Sequence, residues 1–173
     1  MNSKIILTTL LLLVLVQVLP AQEKSRKELK EEELQAKLQQ TEALIASGDF
    51  VFVGRWALPM GTGQVSLSSN PNYVRFSSSL MDGYMPYFGT VTAGIGFSGD
   101  PTIKFKDTPV SFDLEKRKKN YQLDAKVKGE NDVYRLSLSI RFDGSANLTI
   151  TSNNRGTISY EGDIFPAESI KYR

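Results

Sequence analysis

Few side chains in this chain could do chemistry. Its 173 residues include no histidine and no cysteine. Histidine is the commonest general base and zinc ligand, and without it no Ser-His or Cys-His nucleophile pair can form. Acid–base or nucleophilic work would fall to Asp, Glu, Lys, Tyr or Ser. The acids of the strand-rich part are Asp107, Asp113, Asp124, Glu161 and Asp163. Two carboxyls at a set separation, one with a raised pKa, could hydrolyse a glycosidic bond. Nothing in the spacing pairs any two of these acids. None lies in an Asp-x-Asx-x-Asx-Gly calcium loop either. No catalytic residue, metal ligand or cofactor is assigned.

Four further stretches invite a functional reading. Gly94-Ile-Gly96-Phe-Ser-Gly99 matches the glycine spacing of dinucleotide sites. That chemistry needs a strand before the glycines and a helix after them. Asp100-Pro101 and the strand-like Ile103 to Lys106 follow instead, so the glycines mark a close backbone approach. Met85-Pro86-Tyr87-Phe88-Gly89 sets two aromatics between Pro and Gly. It is either a corner that plugs the end of a sheet or an aromatic mouth that holds a ligand. In the second case Tyr84, Tyr87, Phe88 and Phe97 are the ligand-binding residues. Lys116-Arg117-Lys118-Lys119 is a dense basic run between two alternating strands, which reads as a solvated hairpin tip guarding an edge. Asn147-Leu-Thr149 is a sequon that strand alternation places on a wet face. Trp56, the single tryptophan, reads as core.

The elements that must position these residues follow from periodicity. Asn2 to Lys4 is a short basic n-region, and Ile5 to Val16 is apolar apart from Thr8 and Thr9. This run of 12 residues suits a signal peptide over 1–21, cleaved after Ala21, and is short for a membrane span. Residues 22–48 are rich in Lys, Glu, Gln, Leu and Ala and form a charged helix. Its apolar stripe, Leu34, Leu38, Thr41 and Ile45 with Leu44 beside it, begins late, so the second half docks and the first is solvated. Gly48 stops it.

From residue 49 to 173 the period becomes two. Phe50, Phe52 and Trp56 alternate with Val51, Val53 and Arg55, apolar on both faces and therefore covered on both. Asn70-Pro71-Asn72 and Asp82-Gly83 read as turns. Further on, Tyr121 to Val127, Leu136 to Phe142, Ala146 to Ile150 and Ile158 to Tyr160 alternate strictly, with turns at Gly129 to Asp132, Asp143-Gly144 and Asn153 to Gly156. Strict alternation with short connections means consecutive antiparallel strands, one face buried and one wet. The fold class is mainly β: one antiparallel β-sandwich or small, partly closed barrel of about 8–10 strands, after one N-terminal helix. A transmembrane barrel needs longer strands with an apolar outer band, and these polar faces carry Lys, Arg and Asp.

Formal net charge is +2 and Lys4 is the one charge in residues 1–21, so the mature chain stands near +1. Such a chain has no field to collect nucleic acid. No stable membrane span remains once the signal is cleaved. Without cysteine it has no disulfides and no lipid-bearing N-terminal Cys. It is expected to be exported, periplasmic or secreted, and not a lipoprotein.

Several segments together resemble a known family. They are Ala43 to Phe50 leading to Pro59, Met85 to Gly89, Gly94 to Phe97, Ala146 to Ser152 and Ile158 to Gly162. In that order they resemble domain-of-unknown-function family 4251, exported proteins of Bacteroidetes, over roughly Glu42 to Ile164. The most specific part is Pro-Tyr-Phe-Gly paired with the later Ser-Tyr-Glu-Gly. The resemblance implies a secreted or periplasmic protein, often a lipoprotein, with no assigned catalytic residues. This chain departs from the lipoprotein members by lacking the lipobox cysteine.

Three functions follow in order of support. The first is a non-catalytic binding or structural module of the periplasm or cell surface, with an envelope protein or small ligand as partner. The second is a β-barrel enclosing a small apolar ligand. The third is the carboxylate-dependent glycan hydrolase.

Overall fold

The computed structural model describes residues 26–61, 63–89, 102–130 and 132–169. The signal segment 1–21, the start of the helix at 22–25, the glycine pattern 94–99 and Phe97 lie outside the described residues. One helix, α1 (Arg26–Ser47), precedes ten strands. These are β1 (Asp49–Pro59), β2 (Val65–Ser66), β3 (Tyr73–Ser77), β4 (Met81–Pro86) and β5 (Thr102–Asp107). There follow β6 (Ser111–Lys116), β7 (Asn120–Lys128), β8 (Val133–Arg141), β9 (Ser145–Ser152) and β10 (Ile158–Pro166), then a 3₁₀ turn, Ala167–Ser169.

All ten strands form one antiparallel sheet in the order β5-β4-β3-β1-β10-β9-β8-β7-β6, with β2 added beside β1. A twisted sheet of this width curls. Here it curls into a half-barrel. Phe105 of β5 and Tyr134 of β8 lie far apart in strand order, yet their ring centroids are 5.6 Å apart. Of the sandwich and the partly closed barrel, the second is therefore the arrangement found.

The core is the inner face of that curl. Phe50, Phe52, Val74, Phe76, Met81, Met85, Leu123, Leu138, Ile140, Leu148 and Tyr160 are fully buried. Each large apolar side chain here contributes on the order of 1.5–3 kcal/mol by leaving water. From β7 to β9 burial alternates residue by residue, as the periodicity required. The outer face there is wet and cross-linked by polar side chains: Asn120 donates to Ser139, Ser137 to Asp124, and Thr149 and Ser159 share a hydrogen bond.

The early strands depart from the sequence expectation. Asp82-Gly83 is not a turn but the middle of β4, paired with Arg75 and Val74 on one side and Lys106 and Phe105 on the other. The Phe105 ring lies over Gly83, where a Cβ would meet it at 2.3 Å. A glycine covered by a neighbouring aromatic serves a strand interior, whereas the dipeptide alone looks like a turn. On β1, Val51 is as buried as Phe50 and Phe52. It lies between its cross-strand neighbours Arg75 and Phe165.

Residues 26–37 of α1 are exposed. The unit that begins at Gln35 holds the sheet. In it, Thr41 and Ile45 are buried and Leu44 packs against the core. Glu42 accepts from Lys116 at the end of β6, 3.0 Å away. The Thr41 hydroxyl stands over Gly144 in the β8–β9 turn. The second half of the helix thus covers the end of the half-barrel where β6 stops and β9 starts. Gly48 ends the helix at φ 66°, a left-handed conformation that glycine takes without strain. Asp49, the first residue of β1, receives a two-pronged bond from Arg75, Nε to Oδ1 at 2.8 Å and Nη2 to Oδ2 at 2.5 Å. That fork holds the Asp49 carboxyl below its ordinary value.

Gly162 of β10 leaves no room for a side chain against β1. A Cβ there would lie 1.9 Å from the Val53 carbonyl oxygen. Gly162→Ala is expected to cost ~3 kcal/mol or more, read as a lower urea midpoint. Gly63→Ala, where a Cβ meets nothing within 4 Å, serves as the near-neutral control. Acid should also weaken the fold in a defined way. Asp49 and Asp143 both have lowered pKa values, Asp49 through Arg75 and Asp143 through the Ser145 hydroxyl. Their contributions are complete above the ordinary carboxylate pKa of about 4 and vanish as pH falls through the lowered folded values. Arg75→Gln should make Tm fall less steeply below about pH 4 than in the parent chain. An unchanged slope would remove Asp49 from the account.

Candidate functional site

Of the sequence-based binding residues that are described, Tyr84 and Tyr87 lie on opposite sides of the sheet. Tyr84 points outward from β4, opposite Tyr73 of β3, with the Lys104 ammonium 5.3 Å from its ring centroid. Tyr87 lies on the inner side, only 3% exposed. Its hydroxyl donates to the Gly156 carbonyl at 3.2 Å, and Arg155 stands 5.3 Å over its ring. Burial pushes its phenol pKa up. Tyr87 thus closes the half-barrel end remote from the helix, which is how a plug behaves. Phe88, just beyond β4, is 38% exposed.

The basic run is divided between two roles. Lys116 bonds Glu42 of the helix and lies 5.5 Å over the Tyr121 ring. Glu42 holds its ammonium pKa up. Arg117 opens the β6–β7 turn by bonding Asn120, and Lys118 and Lys119 are exposed at its tip.

A different site lies on the outer face, and a bulge creates it. On β1, Gly54 pairs with Gly162 and Trp56 with Glu161, leaving Arg55 without a partner on β10. One extra residue in a strand reverses its inside–outside alternation. Arg55 and Trp56 therefore both face outward, and Ala57 turns inward. Trp56 is 40% exposed and is not core. Simple alternation from Phe50 and Phe52 missed it. The glycine inside the strand just before Arg55 is the signal that could have found it.

The neighbour on the other side of β1 changes at the same place. Its pairing with β3 runs only as far as Phe52 and Val74, and β2 takes over at Trp56. Between them, the Leu67–Asn72 segment supplies the missing partners. Leu67 N–H donates to the Arg55 carbonyl at 2.9 Å, and Gly54 N–H donates to the Asn72 side-chain oxygen at 2.6 Å. Asn72 in turn donates to the Asn70 carbonyl at 3.1 Å. Main-chain groups that lose a strand partner must find another, and here a side chain and a loop provide it.

The result is an outward-opening trough of about 1050 Å³ across β4, β3, β1 and β10. Its apolar walls are Val53, Trp56, Leu67, Pro71, Tyr73, Tyr84 and Phe165. Phe165, like Trp56, is 40% exposed. Ser66, Ser68, Asn70 and Ser169 lie along its rim. Arg55 pairs with Asp163 at 3.2 Å, and Asp82 near the Tyr wall is held by Lys106 at 2.9 Å and by the Tyr73 hydroxyl at 3.0 Å. No acid lines the trough among the described residues. A concave, mostly apolar surface with a few polar groups has the character of a ligand site.

The two segments that carry most of the family resemblance meet inside the protein. Tyr160 is fully buried and its hydroxyl donates to the Pro86 carbonyl at 2.8 Å. Gly162 is the close-packed partner of the bulge. Their geometry supports the fold and supplies no reactive group.

The family model described as Domain of unknown function (DUF4251) matches residues 32–164. A crystal structure of a DUF4251 family protein from Bacteroides eggerthii DSM 20697 is similar at a TM-score of 0.62 and 16% identity, covering 79% of this chain and 96% of that one. At that identity the likeness is one of fold. No curated protein matches the chain. With most of its length matched by the family model, from within the helix into the Ser-Tyr-Glu-Gly strand, the chain belongs to the DUF4251 family.

Proposed function

We propose that this protein is a non-catalytic binding module of the cell envelope, exported by its N-terminal signal segment, that holds its ligand in the outer trough. The carrying observation is that Trp56 and Phe165 stand half-exposed in a concavity of about 1050 Å³. Large exposed aromatics gathered in a hollow are what a binding surface offers. Inside the half-barrel, by contrast, Phe50, Phe52, Phe76, Met85 and Tyr160 occupy the space a small apolar cargo would need. That favours an apolar-ligand site outside the curl over one within it. A hydrolase fits less well, because no acid lines the trough among the described residues, and Asp163 beside it is paired with Arg55. Export is supported by the basic n-region, the apolar run Ile5 to Val16 and the absence of charge between them and Glu23.

Trp56 is the only tryptophan, so its fluorescence reports on the trough alone. Anilinonaphthalene sulfonate added to the mature protein should bind there and accept excitation energy from Trp56. Trp56→Ala and Phe165→Ala should each weaken probe binding at least tenfold while leaving the fold intact. The stability loss should stay at or below ~1 kcal/mol, because both side chains are partly exposed. Probe binding that is absent, or unchanged in both variants, would overturn the trough as a site. For export, intact mass of the protein recovered from its host should match a chain beginning near Gln22. A full-length mass would overturn cleavage.

A further inference from the structure

We infer, resting on the reading of the trough as a binding site, that its ligand is a neutral linear oligosaccharide. Charge is the first ground. Among the described residues that line the trough, Arg55 is the one charged side chain, and Asp163 beside it neutralises that charge. A site without net charge gives a charged ligand no electrostatic advantage.

The second ground is shape. The trough is a hollow of the outer sheet surface, open to solvent, while its floor and walls are mainly apolar. A hydrocarbon chain lying in it would leave one side in water, and the hydrophobic gain scales with the area removed. A sugar ring has an apolar C–H face and a hydroxyl edge. Its face can lie on an aromatic ring while its edge stays hydrated.

The third ground is the order of groups along the floor. Trp56 stands opposite Glu161, and Phe165 lies four residues further along β10. At ~3.3 Å per strand residue the two ring positions are roughly 13 Å apart. That is long enough for more than one sugar ring. Between them lies the Arg55–Asp163 pair, a donor fork beside an acceptor. Neighbouring hydroxyls on a sugar both donate and accept, so such a pair can serve both roles. Ser66, Ser68 and Asn70 add hydroxyl and amide groups at the rim.

A peptide added as an extra strand is disfavoured on the same page of geometry. Strand addition needs unpaired main-chain groups. Those of β1 in the trough are taken, Gly54 N–H by Asn72 and the Arg55 carbonyl by Leu67.

The test is an array of neutral and anionic glycans probed with the mature chain labelled at its N-terminus. The best-retained glycan is then titrated against Trp56 fluorescence. Retention of neutral linear glycans is expected, with a saturable shift of Trp56 emission. Phe165→Ala and Asp163→Asn should each weaken the interaction at least tenfold with Tm nearly unchanged. Retention of anionic glycans alone, or of none, overturns the proposal, as does neutral-glycan binding unaffected by both substitutions. Anilinonaphthalene sulfonate separates the two levels of failure. If that probe still draws energy from Trp56 when no glycan binds, the trough stands and the saccharide falls. If neither binds, both fall.

Discussion

Among the described glycines, Gly162 of β10 has the least room for a side chain, where it passes the Val53–Gly54 peptide of β1. No side chain fits there. The register shifts at that point and Arg55 is left over. Everything on the outer face follows. The alternation of β1 reverses, Trp56 comes out, β3 parts from β1 after Phe52, and the Leu67–Asn72 segment fills the gap. A single crowded crossing therefore converts a plain sheet surface into a walled hollow. Bulges commonly re-aim side chains in this way.

Closing the two ends of the half-barrel is a separate problem, and the chain solves each end differently. At one end the docked half of α1 supplies Thr41, Leu44 and Ile45, and the Glu42–Lys116 bond pins it. That bond is solvent-exposed and adds little by itself. Burial of Ile45 matters more. At the other end Tyr87 and Tyr160 turn their rings inward and hand their hydroxyls to the Gly156 and Pro86 carbonyls. A buried hydroxyl without such an acceptor would cost more than the bond itself gains. Burial pushes the phenol pKa of Tyr160 far up. Tyr87 has the setting of a plug, although its place between Pro and Gly resembles a ligand mouth in sequence.

How legible this was depends on what each feature requires. The strands β7 to β10 could be read directly because each is long, with one face in water and one in the core. The late start of docking on α1 was visible for the same reason. Asp82-Gly83 misled, because a turn signal and a glycine lying under an aromatic look alike without knowledge of Phe105 across the sheet. Trp56 misled because period two cannot register an inserted residue. Of the aromatics singled out beforehand, Tyr84 does stand in the trough, Tyr87 plugs the interior, and Phe97 is outside the described residues. Phe165 carried no signal of its own. It becomes part of a site only when β10 is laid beside β1, more than a hundred residues away in sequence.

The partition between inside and outside then limits what the molecule can do. An interior of buried rings and branched chains holds the sheet in its curl. The outer face of β7 to β9 is satisfied by its own cross-strand hydrogen bonds, such as Asn120 with Ser139 and Ser137 with Asp124. At the trough the balance is different. Main-chain groups are paired there, yet Trp56 and Phe165 keep two-fifths of their surface in water. An interruption in sheet pairing is a cost that folding alone does not require at this position. Here it exposes aromatic surface and encloses it on three sides with a loop, a tyrosine wall and a 3₁₀ turn. A surface arranged for solubility alone would place charge on these positions, and the aromatic surface kept in water there is the ground on which a binding role is proposed.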